Sequence, residues 1–135
     1  MDDKIKYKSI TNQIGVSVEP FYLDQESEPD DSHYVWGYQV QIENNSQETV
    51  QLRRRHWVIT DGNGQTHEVE GEGVVGEQPV LEPGEAFEYT SGAPLSTSSG
   101  FMAGSYKMKV KDGDYFDVEI PAFSLDIPTD DRKVH

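Results

Sequence analysis

Cysteine is absent from the 135-residue sequence. Without it there is no disulfide framework, no thiolate metal site and no cysteine nucleophile, and nothing in the composition points to an oxidising compartment. Long apolar runs are also absent. The first residues, MDDKIKY, lack the pattern of a signal peptide, and the apolar stretches are too short to span a membrane. We therefore expect a cytoplasmic protein with no membrane partner.

Positive charge is scarce in this chain. Lysine and arginine number 11 against 25 acidic residues, which gives a formal net charge of −14 at pH 7. Such a protein repels phosphate backbones and anionic lipids, so nucleic acid is not expected as a partner. The length is that of one domain, which buries about two thirds of its unfolded surface on folding.

Short runs of alternating apolar and polar residues fill the sequence, separated by glycine, proline, asparagine and aspartate. The alternation is clear over 14–19 and 36–43, where each run has one apolar face. About seven such strands, without strand–helix alternation, predict an immunoglobulin-like or fibronectin type III-like antiparallel β-sandwich. A partly closed barrel is the alternative. The domain is predicted to span residues 1–125, with a flexible tail at 126–135.

Local signals place several connections between these strands. Residues 24–32 are acidic, lack apolar side chains and contain a proline, which predicts an exposed and mobile connection. The apolar positions change phase within 50–60, so we expect a β-bulge or bend near residues 53–56. The sequence DGNG at 61–64 then predicts a hairpin with the run that follows it.

The final hairpin permits a prediction of register. Apolar side chains alternate over 106–110 and over 116–120. A two-residue turn would place apolar residues opposite polar ones, whereas a three-residue loop at 112–114 pairs the two apolar faces. The three-residue loop is therefore predicted, and it sets Lys109 opposite Asp117.

The segment 71–76 reads GEGVVG and matches the G-x-G-x-x-G pattern of dinucleotide sites. In those sites a helix follows the glycines, and its amide groups bind the pyrophosphate. Here Pro79 follows closely, and Glu72 and Glu77 place negative charge where phosphates would lie. We therefore predict a glycine-rich β connection, whose backbone still allows a ligand to approach closely.

Three of the four arginines are consecutive, at positions 53–55, and His56 follows them. In a regular strand Arg53 and Arg55 point to one face, while Arg54 and His56 point to the other. The more ordinary role for such residues is pairing with the domain's own carboxylates. The functional alternative is a patch that binds an anion or an acidic partner, since arginine presents a fork of donors.

Glycines, arginines and a tryptophan thus come together across one predicted hairpin and the loop after it, which predicts a binding surface. Its residues are Arg53, Arg55, Trp57, Gly71, Gly73, Gly76, Glu77 and Gln78. The four histidines lack metal-ligand spacing, the acidic segment lacks the EF-hand pattern, and no serine lies in a nucleophile elbow. We predict no catalytic residue, no bound metal and no cofactor.

Several segments resemble the ApaG family in order and spacing. They are HWVITD (56–61), VEGEGVVGEQPVL (69–81), PGEAFEYTSG (83–92), FMAGSY (101–106) and FDVEIPAF (116–123). The resemblance covers nearly all of the chain outside the acidic loop and the tail. Where ApaG members often carry a cysteine after the Ser-Gly pair at 91–92, this sequence has Ala93, which weakens any role for a thiol there.

The resemblance implies a fibronectin type III-like sandwich and a family without an established activity. Similar domains in eukaryotic F-box proteins and in a polymerase-interacting protein imply a non-enzymatic binding or adaptor role with a protein partner. The family's association with a diadenosine tetraphosphatase operon and with cobalt and magnesium handling implies the alternative, a divalent-cation or polyphosphate-binding protein. A phosphohydrolase ranks last. Homo-oligomerisation through edge strands stays open.

Overall fold

Strands account for most of the computed structural model, which describes residues 6–128. These residues form nine β-strands and two single 3₁₀ turns. The strands are β1 (Tyr7–Thr11), β2 (Ile14–Tyr22), β3 (Tyr34–Asn44), β4 (Val50–Asp61), β5 (Thr66–Glu72), β6 (Val80–Leu81), β7 (Ala86–Leu95), β8 (Ser99–Val110) and β9 (Tyr115–Asp126). The 3₁₀ turns, Asp24–Glu26 and Pro29–Asp31, lie in the acidic segment, which forms no strand, as predicted.

The strands form two antiparallel sheets that pack face to face. One sheet has the order β1-β2-β3-β7, and the other has the order β5-β4-β8-β9, with the short β6 beside β4. The predicted β-sandwich is therefore confirmed. The structure has nine strands where about seven were predicted. Strand β1 was not predicted, because its aliphatic residue, Ile10, faces solvent and is 64% exposed.

The core lies between the sheets and contains the apolar faces of the alternating runs. The first sheet contributes Ile14, Val16, Val18, Trp36, Tyr38, Val40 and Ile42, and the second contributes Leu52, Trp57, Met102, Tyr106, Met108, Val118, Ile120, Phe123 and Leu125. Burying each large apolar side chain contributes about 1.5–3 kcal/mol. Trp57 joins the two sheets, since its ring centre lies 5.3 Å from that of Tyr38 and 5.9 Å from that of Phe123.

The last hairpin has a loop of the predicted length in a different register. Strands β8 and β9 pair Lys109 with Tyr115 and Lys107 with Asp117, so the predicted pairing of Lys109 with Asp117 is wrong. The loop is 111–113 rather than 112–114. A shift of two residues leaves every side chain on its predicted face, and alternation therefore cannot distinguish these two registers.

The two sides of the sandwich differ. On one side β1 packs against β9, where Ser9 Oγ donates to the Glu119 carbonyl at 2.8 Å and the Glu119 amide donates to Thr11 Oγ1 at 3.2 Å. On the opposite side β7 and β5 are the outermost strands of their sheets. A cleft of about 500 Å³ opens between them. This open side holds the candidate site.

Strand β9 extends to Asp126, the first residue of the predicted tail. Most of that tail, 129–135, lies outside the described residues, so its flexibility stays a prediction. Across 6–128, no helix has the length and apolar character needed to cross a membrane.

Candidate functional site

A β-bulge in β4 decides which arginine faces the cleft. The pairing of β4 with β8 shifts between Leu52 and Arg54, inside the region where a bulge was predicted. Arg53 is the extra residue. Beyond it, Arg55 lies opposite the fully buried Tyr106, so both side chains point between the sheets.

Arg53 and Arg55 consequently occupy different faces, and the prediction that they share one is wrong. Arg53 lies on the outer face, where its Nε donates to Gln51 Oε1 at 2.7 Å and its Nη1 donates to Tyr115 Oη at 3.2 Å. Its guanidinium carbon also lies 5.7 Å from the centre of the Tyr115 ring. The extra residue reverses the alternation on which the same-face prediction depended.

Backbone carbonyls anchor Arg55 at the edge of the cleft. Its Nη1 donates to the carbonyl oxygen of Gly73 at 2.8 Å and to that of Glu72 at 3.2 Å. The guanidinium lies over Gly71, where an added Cβ would sit 2.8 Å from both Nη1 and Nη2. Gly71 therefore makes room for this side chain. Among residues 6–128, no carboxylate lies within 4.0 Å of it.

Three tyrosines lie beside and beneath the cleft. The hydroxyls of Tyr89 and Tyr106 hydrogen-bond each other, and Tyr38 pairs with Ser91 across β3 and β7. Burial raises the pKa of each of these tyrosines above the usual value, and the positive charge of Arg55 opposes that rise only in part. All three hydroxyls are therefore neutral at neutral pH, and no phenolate compensates the charge of Arg55.

The walls of the cleft are mainly apolar. They include Trp57, Ile59, Val69, Val74, Val75, Ala93, Pro94 and Met102. Val69 and Val75 form its lip and are 40% and 56% exposed. The one carboxylate of the lining belongs to Glu72, whose largely exposed side chain lies 4.0 Å from Arg54 on the outer face. The cleft therefore offers apolar surface and one cation.

The glycine-rich segment forms the lip of the cleft as a tight β connection, as predicted. Val74 and Glu77 exchange backbone hydrogen bonds of 2.8 and 2.9 Å around Val75 and Gly76, whose φ angles are 41° and 82°. Gly73 also has a positive φ, and a Cβ there would lie 2.3 Å from the Glu77 carbonyl oxygen. The chain continues into β6 rather than into a helix. The geometry of a dinucleotide site is not formed here.

The structure brings only part of the predicted binding surface into the cleft. The members that line it are Arg55, Trp57 and Gly76. Gly71 and Gly73 position the guanidinium and the turn beside it. Like these two glycines, Arg53, Glu77 and Gln78 lie outside the lining. Gln78 supports the bulge instead, because its Nε2 donates to the Arg53 carbonyl at 2.9 Å.

Sequence reasoning missed the far wall of the cleft. This wall comes from β3 and β7 and includes Tyr38, Tyr89 and Ser91. The available signal is that Phe87 and Tyr89 alternate with polar residues, a pattern typical of a strand. Nothing in that alternation tells that β7 ends its sheet on the same side as β5.

Sequence spacing also missed a cluster of possible metal ligands on the outer face of β4 and β5. His56 Nε2 lies 3.2 Å from Glu68 Oε1 and 3.7 Å from Glu70 Oε2. One ligand atom from each residue lies within 4.8 Å of the others. The hairpin pairs His56 with Glu70 directly and places Glu68 on the same face. The register of β4 and β5 brings these three residues together, and residue spacing in the sequence does not reveal that register.

The turn at the lip predicts a measurable strain. Val75 has a φ of 41°, a left-handed conformation that β-branched residues rarely adopt and that asparagine adopts readily. We expect Val75→Asn to raise the free energy of unfolding by about 1 kcal/mol, measured by urea denaturation. The control is Val80→Asn, at a similarly exposed strand position, which should not stabilise. An unchanged stability of Val75→Asn would contradict the strain.

Comparison with known proteins agrees with the fold and with the motifs. Residues 24–110 match the family model of the ApaG domain. Protein ApaG of Brucella anthropi is 59% identical over 129 residues, which cover 96% of this chain and 99% of that protein. The Brucella abortus protein of the same name is 58% identical with equal coverage. A Bordetella pertussis crystal structure described as ApaA is 44% identical, has a TM-score of 0.84, and covers 93% of this chain and 99% of its own. The chain belongs to the ApaG family.

Proposed function

We propose that this domain is a non-enzymatic binding module that holds an extended segment of a partner protein in the cleft between β5 and β7. The observation that carries the proposal is the cleft itself. It lies on the open side of the sandwich and combines apolar walls with the half-buried Arg55. A concave apolar site with a few fixed polar groups is the usual form of a binding site.

The edge of β7 favours a protein segment as the occupant. β7 pairs with β3 on one side, and its other edge borders the cleft. An unpaired strand edge offers backbone donors and acceptors to an added strand, while neighbouring pockets hold its side chains. Pro94 interrupts the row of donors, since it has no N–H, and so limits pairing to part of β7.

The state of the tyrosines supports binding rather than catalysis. A general acid or base works best when its pKa is near the working pH. Burial moves the pKa of Tyr38, Tyr89 and Tyr106 in the opposite direction, away from neutrality. The hydroxyls of Tyr89 and Tyr106, which hydrogen-bond each other, are therefore neutral groups beside and beneath the cleft.

Charged residues at the lip test this proposal. We expect the double variant Val69→Glu, Val75→Glu to lose a protein that the wild type retains, because two carboxylates would oppose an apolar partner surface at the entrance. The matched control is Ile10→Glu, on the closed side of the sandwich, at an exposed aliphatic residue. The measurement is affinity capture from the native lysate with quantitative mass spectrometry.

Selective loss in the lip variant, with retention by the control, would support the proposal. If the lip variant retained every protein that the wild type retains, the cleft would not be the site. Urea denaturation of the wild type, the lip variant and the control is the check that all three are folded under the conditions of the capture experiment.

A divalent-cation-binding role is the second candidate, and the cluster of His56, Glu68 and Glu70 favours it. Imidazole and carboxylate groups together suit first-row transition metals. Calorimetric titration with Co²⁺ should then give a saturable heat that is lost in the double variant His56→Ala, Glu70→Gln and kept in His67→Ala. Absence of saturable heat in the wild type would eliminate this role. A polyphosphate ligand has less support, because Glu72 lies within the glycine segment and Glu77 directly follows it.

A further inference from the structure

One part of the Arg55 guanidinium has no hydrogen-bond partner in the described part of the chain. Nη1 is held by two backbone carbonyls, while Nε and Nη2 have no hydrogen-bond partner among residues 6–128. Within those residues, no side-chain nitrogen or oxygen is both sealed from solvent and without a partner. Nε and Nη2 are therefore not fully sealed from solvent. Together they form the edge through which arginine binds a carboxylate with two parallel hydrogen bonds.

The guanidinium of Arg55 has different surroundings from those of Arg53 and Arg54. Arg53 lies against Tyr115, and Arg54 lies near the carboxylate of Glu72. Arg55 contacts backbone carbonyls, has no carboxylate within 4.0 Å among residues 6–128, and lies near neutral tyrosines, in a chain with a net charge of −14. An anion entering the cleft would therefore meet an uncompensated cation between apolar walls, where the attraction is stronger than in water.

The guanidinium is also held in place before any ligand arrives. Two carbonyl contacts fix Nη1, and Gly71 leaves the space that the group occupies. A side chain that is already ordered loses less conformational entropy on binding. The guanidinium of Arg55 is therefore preorganised to bind an anion.

We infer that Arg55 binds a carboxylate side chain, from aspartate or glutamate, within the extended partner segment, and that apolar residues flank this acid. The inference rests on the proposed function and specifies its ligand. A single carboxylate matches the one cation of the cleft. The walls formed by Trp57, Val69 and Val75 match the apolar neighbours of the acid.

Short random peptides displayed on phage provide the probe. Peptides selected on the wild-type domain should be enriched in aspartate or glutamate next to apolar residues. Each enriched peptide is then synthesised with its acid and with the corresponding amide, and its Kd is measured by fluorescence anisotropy. We expect the change from acid to amide to weaken binding to the wild type by about tenfold or more.

A double-mutant cycle assigns that loss to Arg55. In Arg55→Gln the acid and amide peptides should bind with nearly equal Kd, whereas in Arg53→Gln the full difference should persist. Arg53 is the matched control, since it is the arginine two positions away on the outer face. Gly71→Ala, which crowds the guanidinium, should reduce the acid preference.

The outcomes separate this inference from the proposed function. Peptides that lose binding to the lip variant Val69→Glu, Val75→Glu but show no acid preference would overturn the role of Arg55 and leave the cleft as the binding site. Peptides that bind the lip variant and the wild type equally would overturn both. Peptides that lose binding when the C-terminus is amidated, and not when the acidic side chain becomes an amide, would show that the terminal carboxylate is bound, which overturns the side-chain assignment.

Discussion

Substitution of Gly104 with alanine is expected to lower the free energy of unfolding by about 3 kcal/mol or more. A Cβ at this position would lie 2.2 Å from the carbonyl oxygen of His56 and 3.1 Å from Cε3 of Trp57. Gly104 pairs with Trp57 across β8 and β4, so the clash falls on backbone inside a central strand pair. Neither strand can withdraw without losing its ladder hydrogen bonds.

The same substitution should also impair the cleft, because Gly104 supports the ring that forms part of its wall. We expect Gly104→Ala to shift the urea midpoint to a much lower concentration and, where it still folds, to weaken binding of any cleft-dependent peptide. Gly15→Ala is the matched control, since the added Cβ would meet only Lys8 Cε at 3.7 Å. Equal urea midpoints for the two variants would contradict the close approach at Gly104.

Alternation in the sequence predicted which side chains are buried, and the reason is the geometry of a strand. Ile14, Val16 and Val18 alternate with polar or small residues and all three are fully buried. Burial depends on parity along the strand, which the sequence displays directly. Which residues pair across neighbouring strands depends on register and sheet order, and the sequence does not display these. The last hairpin shows the difference, since two registers two residues apart bury the same faces.

The candidate site illustrates the same distinction. The phase change within 50–60 predicted the bulge, but locating the extra residue at Arg53 needed the pairing with β8. Because Arg53 is the extra residue, it lies on the outer face while Arg55 points into the cleft. The far wall and the His56 cluster depend on contacts between strands distant in sequence, which no local pattern encodes. Residue type was predictable at this site, and residue direction was not.

The open side of the sandwich connects fold to function. On the closed side, β1 and β9 are joined by the hydrogen bonds of Ser9 and Thr11 to Glu119. On the open side, the connection after β5 folds back as a turn and leaves apolar side chains at the lip. The glycine-rich segment that resembles a nucleotide motif thus shapes an entrance between two sheets. Its conformation, rather than its pattern of glycines, indicates its role.

Above about pH 10 the domain is expected to lose stability steeply because of its buried tyrosines. In the unfolded chain a tyrosine titrates near its ordinary pKa of 10.0, whereas burial raises the pKa of Tyr38, Tyr89 and Tyr106 in the folded protein. As pH rises past 10, the unfolded state binds fewer protons than the folded state. The free energy of unfolding then falls by at most about 1.4 kcal/mol per pH unit for each tyrosine.

Below that pH both states keep the phenolic protons, so these tyrosines contribute no pH dependence there. The measurement is urea denaturation between about pH 8 and pH 11. Other residues titrate in the same range, and the comparison with Tyr89→Phe, Tyr106→Phe isolates the buried pair. This double variant should lose most of the slope that the three tyrosines produce, because only Tyr38 remains.

Single substitutions test the hydrogen bond between the two hydroxyls at neutral pH. Tyr106→Phe should lower the free energy of unfolding by about 1–3 kcal/mol, because the buried hydroxyl of Tyr89 loses its partner. The double variant should lose less than the sum of the two single losses, since it leaves no hydroxyl unsatisfied. An unchanged alkaline slope in the double variant would show that these tyrosines reach solvent. The hydroxyls of Tyr89 and Tyr106 would then ionise near the ordinary tyrosine pKa of 10.0 instead of staying neutral near Arg55.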